Sequence, residues 1–131
     1  MRKSGFTAAE KASENSDFHS QHLGAAIMYG SKVLAVGWNT EKTHSVQGEY
    51  NKYRGFDVDT NANKLHAEMM ALNKVQNLDV DFGKLEIYVW RGKGKPQLSR
   101  PCKACEERIK AMGIKTVHYT GNNSLCTERY L

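Results

Sequence analysis

The chain has 131 residues, which is enough for one domain, residues 1–131, whose hydrophobic core needs no disulfide bonds. A hydrophobic content of 40% and a charged content of 25% are ordinary for a globular protein, and no apolar run is long enough to span a membrane. The polar start of the chain, Met1 to Gly5, has no secretion signal, so we expect a cytoplasmic protein with no membrane partner. A net charge of +5 suits phosphate-bearing partners, although many proteins without such partners carry the same charge.

Helical and strand patterns alternate along the chain. Thr7 and Glu10 have the spacing of a capping box, which predicts that the first helix begins at Thr7. Residues 40–64 have mixed charge and no sustained periodicity, and a loop of this length is often functional. The predicted elements are a helix over 7–16, a hairpin of two largely buried strands over 23–29 and 32–38, a helix over 65–77, a strand over 85–90, a helix from Cys102 to Gly113, and strands over 115–120 and 125–130. This order predicts an α/β sandwich in which a mixed sheet is flanked by helices.

The cysteines point to a metal site. Their odd number, three, fits a reducing compartment better than a disulfide framework. Cys102 and Cys105 form a C-x-x-C motif directly after Pro101, which alone fits a redox pair, half of a closed zinc site or half of an open one. A redox pair calls for a thioredoxin-like context, and a closed site calls for a second ligand pair. Only one other cysteine is present, Cys126, which is expected to be a half-buried strand residue, and His118, a candidate fourth ligand, lies inside a strand pattern.

The segment His66-Ala67-Glu68 makes an open zinc site the preferred interpretation. His66 supplies a third ligand and leaves one tetrahedral position for water, which is the pattern of a catalytic zinc. His66 and Cys102 both lie at predicted helix N-termini, where free N–H groups and the helix dipole favour anionic groups. Glu68, two residues after the histidine, is placed to act as a general acid and base. The alternative for His66 is a helix-start residue that binds no metal.

These motifs carry a resemblance to a known family. H-x-E followed by P-C-x-x-C is the signature of the zinc nucleobase deaminases. The chain resembles the cytidine/deoxycytidylate deaminase superfamily over most of its length, including the initial helix and a hairpin, 23–38, that ends in Gly-x-Asn. The resemblance implies a three-layer α/β/α fold with a mixed five-stranded sheet. It also implies a Zn²⁺ ion held by His66, Cys102 and Cys105, with Glu68 moving a proton from water to the ring nitrogen and then to the departing amino group.

The same resemblance implies a substrate pocket. The backbone N–H of Ala67 contacts the base carbonyl, the side chain of Asn39 contacts the sugar, and the backbone around Ser99, Arg100 and Pro101 faces the amino group. Similar deaminases often assemble as homo-oligomers, so we expect one here. The antiparallel hairpin predicted at the end of the chain is typical of free-nucleoside deaminases, which however usually have cysteine in place of this histidine. The subfamily therefore stays open.

The substrate class is the least determined feature. A basic cluster beside the cysteines suits the phosphate of a nucleotide or a single-stranded nucleic acid, unless it is simply a solvated loop. Its members are Arg91, Lys93, Lys95, Arg100 and Lys103. Three aromatic residues at strand positions, Trp38, Tyr88 and Trp90, are either base-stacking surfaces or core. The preferred function is deamination of the cytosine ring of a small nucleoside or nucleotide. The alternatives are deamination of cytosine in single-stranded DNA or RNA and a zinc-stabilised binding module without catalysis, against which the presence of Glu68 weighs.

Overall fold

The computed structural model describes residues 1–17, 21–40, 66–92 and 97–130. In these ranges the elements follow the order expected from the sequence, helix, two strands, helix, strand, helix and two strands. Their bounds are α1 (Lys3–Ser13), β1 (Leu23–Tyr29), β2 (Lys32–Trp38), α2 (Ala67–Val75), β3 (Leu85–Arg91), α3 (Lys103–Ala111), β4 (Thr116–Gly121) and β5 (Ser124–Arg129), with a 3₁₀ turn at Phe82–Lys84 before β3. No helix in these ranges has the length and apolar character needed to cross a bilayer.

The described strands form one five-stranded sheet in the order β2-β1-β3-β4-β5. β1 pairs antiparallel with both β2 and β3, β3 pairs parallel with β4, and β4 pairs antiparallel with β5. The mixed sheet and the closing antiparallel hairpin are therefore confirmed. The parallel β3–β4 pair needs a crossover, and α3 supplies it.

Helices cover both faces of the sheet, which confirms the three-layer α/β/α architecture. On one face, Phe6 and Ala9 of α1 pack against Met28 and Tyr88. On the other face, side chains of α2 and α3 share a second core with inward residues of β1, β3 and β4. Because α2 and α3 lie on the same face and their first turns pack together through Met69, Ala104 and Cys105, residues at the two helix N-termini can meet.

Gly37 in β2 allows α2 to come close to the sheet. A Cβ atom at this position would clash with the backbone carbonyl oxygen of Ala67 and would lie 2.7 Å from the backbone nitrogen of Ala71. Only glycine, which has no side chain, leaves room for the first turn of α2 this close to β2. The same turn carries Glu68, so Gly37 helps to set the position of that side chain.

The capping-box prediction for Thr7 is wrong. Helix α1 begins four residues earlier, at Lys3, with Arg2 at its N-cap. Thr7 lies inside the helix and its hydroxyl donates to the carbonyl oxygen of Lys3 at 3.1 Å. Burial of Phe6 against the sheet extends the helix toward the N-terminus, so tertiary packing overrides the local capping signal. The helix also ends earlier than expected, at Ser13.

Strand β2 is less buried than the sequence suggests. β1 is almost wholly buried, but β2 is an edge strand whose first residues are exposed, including Val33.

Three further expectations concern the later part of the chain. Helix α3 ends at Ala111 with Met112 at the C-cap, one residue before the expected Gly113, which adopts a φ of 90°. Cys126 is half-buried in β5, as expected. The predicted 40–64 loop lies outside the described residues except for Thr40.

Candidate metal and catalytic site

The candidate site lies where α2 and α3 begin. His66 is the N-cap of α2 and Cys102 is the N-cap of α3, and both have extended backbone conformations. Cys105 lies in the first turn of α3 and is fully buried. Helix N-termini offer unpaired N–H groups and a positive dipole end, which stabilise thiolates and other anions nearby.

The nitrogen and sulfur atoms of these three residues converge. His66 Nδ1 lies 3.5 Å from Cys102 Sγ and 3.4 Å from Cys105 Sγ, and the three ligand atoms lie within 4.8 Å of one another. A zinc ion about 2.3 Å from sulfur and about 2.0 Å from nitrogen, at tetrahedral angles, separates those atoms by roughly 3.5 Å. The three side chains therefore form a group that can bind zinc without a change in backbone position.

The two thiols share protons unequally. Cys105 donates a hydrogen bond to Cys102, and this bond, together with the interaction with His66, lowers the pKa of Cys102 to about 4 despite burial. The same hydrogen bond and the burial of Cys105 raise the pKa of the Cys105 thiol. The pair thus holds one negative charge at neutral pH, and a cation placed among the three atoms favours loss of the second proton.

Glu68 is the acidic group beside this cluster. It lies in the first turn of α2 and its exposed fraction is 3%. Burial raises the pKa of Glu68, although the nearby His66 opposes this effect. A buried carboxyl group that interacts with Cys105 and His66 faces the cluster rather than solvent. Such a group can accept a proton and return it to a neighbouring atom.

Ser99 ties the cysteine loop to the sheet. Its hydroxyl donates to the carbonyl oxygen of Val89 at 2.9 Å and accepts from the backbone N–H of Thr120 at 2.8 Å. The Thr120 hydroxyl also lies 2.8 Å from the Ser99 hydroxyl and donates to the carbonyl oxygen of Gln97. In addition, the backbone N–H of Ser99 donates to the carbonyl oxygen of Thr120 at 2.7 Å. The segment that leads into Cys102 is therefore fixed to the ends of β3 and β4.

The other expected substrate-binding residues are also placed by these elements. Ala67 is the first residue of α2, next to His66, and Pro101 is buried just before Cys102. The side chain of Asn39 accepts from the backbone N–H of Leu23 at 2.9 Å and donates to the carbonyl oxygen of Gln21 at 3.0 Å. Asn39 thus fixes the start of β1, and its role toward a substrate stays a prediction, as do those of Ala67, Ser99, Arg100 and Pro101.

Two members of the basic cluster, Arg100 and Lys103, are paired with carboxylates that follow them in the sequence. Arg100 forms a two-pronged pair with Glu128 of β5, with distances of 2.7 Å from Nε to Oε1 and 3.2 Å from a terminal nitrogen to Oε2. This pairing lowers the pKa of Glu128. Lys103 contacts Glu106 at 3.0 Å and Glu107 at 2.8 Å on its own helix. Residues 91–105, which define the basic cluster in the sequence, contain no acidic residue, and these partners at positions 106, 107 and 128 were therefore missed.

Two further members of the basic cluster, Lys93 and Lys95, lie outside the described residues. Arg91 ends β3, and its guanidinium group donates to the carbonyl oxygen of Leu98 at 3.3 Å. This contact links β3 to the loop before the cysteines, so Arg91 contributes to the position of that loop.

The aromatic residues divide between core and periphery. Tyr88 is fully buried, with Phe6 edge-on at a centroid distance of 5.1 Å and His118 stacked at 4.4 Å, so Tyr88 belongs to the core. His118 bonds to Glu86 and Thr127 on the α1 side of the sheet, away from the cysteines. Trp38 and Trp90 are only half-buried. The ammonium group of Lys74 lies 5.0 Å from the Trp38 ring centroid.

Comparisons with known proteins agree with this geometry. A family model described as the cytidine and deoxycytidylate deaminase zinc-binding region matches residues 2–120. A search of curated proteins gave no significant match. Because the family model spans most of the chain, including all three candidate ligands, it assigns the family independently of any single relative.

Several solved structures share the fold. A cytidine deaminase from Burkholderia pseudomallei is 19% identical and superposes with a TM-score of 0.70. The match covers 98% of this chain and 92% of that deaminase. The apo dCMP deaminase from the cyanophage S-TIM5 is 27% identical with a TM-score of 0.56, covering 91% and 84%. The same cyanophage enzyme in complex with dCMP and dUMP is 26% identical with a TM-score of 0.56, covering 91% and 82%. The first similarity, at low identity, is evidence for the fold alone.

Proposed function

The chain belongs to the cytidine and deoxycytidylate deaminase family, and on that premise we propose that it is a zinc-dependent hydrolase of the cytosine ring. The substrate is a nucleoside or nucleotide, which is converted to the uracil form with release of ammonia. The observation that carries this proposal is the position of Glu68, a buried carboxyl group beside three converging metal ligands.

The ligand set supports a catalytic zinc. Within the described part of the chain, the group contains one histidine and two cysteines, whereas structural zinc sites are closed by four protein ligands. Zinc bound by three ligands supplies a nucleophile at neutral pH, because it lowers the pKa of water. His66, Cys102 and Cys105 are the residues that hold it in this proposal.

Glu68 is the proton carrier in this proposal. Because burial favours the neutral form and raises its pKa, the carboxyl group is a better proton acceptor than an exposed glutamate and can take a proton from water. It returns that proton to the ring nitrogen beside the amino-bearing carbon, and the hydroxide left from the water adds to that carbon. The proton of the added hydroxyl group then passes through Glu68 to the amino group, the C–N bond breaks, and ammonia leaves a carbonyl group behind. A binding module has no need of such a group, and burying a carboxyl group costs stability. This cost argues against a non-catalytic zinc domain.

A small substrate fits the charge distribution better than a polynucleotide. A groove that tracks a single strand needs unpaired cations, yet two of the three members of the basic cluster that the structure describes, Arg100 and Lys103, are paired with Glu128, Glu106 and Glu107. The cyanophage relative in complex with dCMP and dUMP supports a small nucleotide or nucleoside. The choice between ribose and deoxyribose, and between nucleoside and monophosphate, is left to experiment.

We extend the proposal to a cytoplasmic homo-oligomer. The three cysteines are unpaired, and the metal site needs reduced thiols, which a reducing compartment maintains. The homo-oligomer rests on the resemblance to deaminases that often assemble in this way. Light scattering of the purified protein tests the second point, and a monomer at micromolar concentration contradicts it.

A substrate panel tests the proposed function. Zinc-loaded protein is incubated with cytidine, deoxycytidine, their monophosphates and a cytosine-containing single strand, and both ammonia and the uracil product are measured. We expect turnover of at least one small substrate, with at most slight turnover of the strand. Turnover of the single strand alone would assign the polynucleotide function instead, and no turnover of any member would contradict deamination of cytosine.

A further inference from the structure

Arg108 of α3 occupies the seam between the two helices that carry the candidate metal ligands. Its exposed fraction is 4%, so its guanidinium group is almost completely removed from solvent. One terminal nitrogen donates to the side-chain oxygen of Asn73 at 2.6 Å, and the other donates to that of Gln76 at 3.2 Å. A longer contact of 3.5 Å reaches the carbonyl oxygen of Met69. All three acceptors belong to α2 or its C-cap.

The contacts of Arg108 lie on the same seam as the ligands. On α3, Arg108 follows Cys105 by three residues, so the two side chains share one face of the helix. On α2, His66, Met69, Asn73 and Gln76 are separated by three, four and three residues, which places them along one stripe. The seam is therefore fixed at two heights, by the ligands at the helix N-termini and by Arg108 about two turns further along α2.

This arrangement bears on metal binding because the ligands come from different helices. His66 is supplied by α2 and both cysteines by α3, so the distance between nitrogen and sulfur depends on how the two helices pack. Metal ligands must be held within about 0.5 Å of the productive geometry to bind well. Hydrogen bonds in the surroundings of a metal site commonly provide this restraint.

We propose that Arg108 is a positioning residue that fixes α2 against α3 and thereby holds His66 at zinc-binding distance from Cys102 and Cys105. In this role Arg108 acts through its hydrogen bonds to α2. The inference rests on the metal site of the proposed function, but it does not depend on which substrate is used.

Zinc affinity of the folded protein tests this inference without any substrate. Competition with a chromogenic chelator gives the dissociation constant of Zn²⁺ for wild type, Arg108→Met and Arg108→Lys. We expect Arg108→Met to bind zinc up to about 10-fold more weakly, less than the roughly 10–100-fold typical of a lost bond to a ligand itself, and Arg108→Lys, which keeps a cation with hydrogen-bond donors, to recover part of the loss. Lys110→Met, a change of a half-exposed residue on the same helix, should bind zinc like wild type.

A second pair of variants separates positioning from general stability. Val117→Ala in the buried core of β4 should lower the melting temperature without weakening zinc binding. Asn73→Ala removes the acceptor at 2.6 Å from a partly exposed position, and its loss of affinity should lie toward the lower end of the range for Arg108→Met. If Arg108→Met does not fold, Asn73→Ala decides the question.

Wild-type zinc affinity in Arg108→Met or, where that variant does not fold, in Asn73→Ala would overturn the inference. An affinity loss in Val117→Ala equal to that of Arg108→Met at a matched melting temperature would also overturn it. A failure of the substrate panel leaves these affinities unaffected, so the two proposals fail separately.

Discussion

Replacing Ser99 by alanine should destabilise the protein strongly, because its hydroxyl group satisfies two buried backbone groups. The side chain accepts from the N–H of Thr120 and donates to the carbonyl oxygen of Val89, and both of these residues are fully buried. Alanine provides neither bond. The hydroxyl of Thr120 is less affected, because it also donates to the carbonyl oxygen of Gln97.

The magnitude follows from the two orphaned groups. At about 1–3 kcal/mol for each buried group left without a partner, the expected loss of unfolding free energy is roughly 2–6 kcal/mol. For a chain of this size, each kcal/mol lowers the melting temperature by about 3–4 °C, so the expected drop is roughly 6–24 °C. Ser124→Ala, the same substitution at an exposed position of β5, should change the unfolding free energy by less than about 0.5 kcal/mol.

Thermal and urea unfolding measure the stability of both variants, and KM is measured well below the melting temperature. The structure predicts a large loss of stability in Ser99→Ala with a smaller change in KM. A variant with the stability of wild type and a raised KM would refute the reasoning. It would mean that the hydroxyl group binds the substrate and does not fix the cysteine loop to the sheet.

Two further predictions concern the metal ligands and the ion pair beside them. Cys102→Ser should lose most of its bound zinc by elemental analysis, because a thiolate is replaced by a hydroxyl group, whereas Cys126→Ser should keep it; full occupancy in Cys102→Ser would contradict its assignment as a ligand. Arg100→Gln should cost up to about 1 kcal/mol at pH 7, since its pair with Glu128 is half exposed. Because Arg100 holds the pKa of Glu128 below 4.5, this contribution is complete above pH 4.5 and is lost as pH falls through the folded-state pKa. Urea unfolding of both proteins at pH 7 and about pH 3 checks the sign, and a difference that does not become smaller at the lower pH contradicts it.

The fold was predictable because its signals are local. The apolar runs of β1 and β2, the Gly30-Ser31 turn and the periodicity of α2 each lie within about a dozen residues, so each element could be read separately. The order of elements then restricted the sheet to a mixed arrangement. The start of α1 was missed for the converse reason. Phe6 packs on residues of β1 and β3, which a local capping rule does not consider.

The residues of the metal site were predictable from the sequence, but the residues that hold them in place were not. The motifs around His66 and Cys102 are specific in spacing, whereas the residues that hold them in place are distant in sequence. Ser99 bonds to Thr120 and Arg108 to Asn73, across separations of 21 and 35 residues. Arg100 and Glu128 are 28 residues apart, so the basic cluster looked uncompensated in the sequence. Such pairs depend on strand order and helix packing and carry no local pattern.

The central claim is that Glu68 transfers protons at a zinc site that deaminates cytosine. Ammonia release from the best substrate of the panel, measured for wild type and Glu68→Gln with the zinc content of both determined, tests it most directly. Glutamine keeps the size of the side chain but cannot carry the proton. We therefore expect equal zinc content and a kcat that is lower by about 10²–10⁴-fold. Glu68→Gln with full zinc and nearly wild-type kcat would contradict the account.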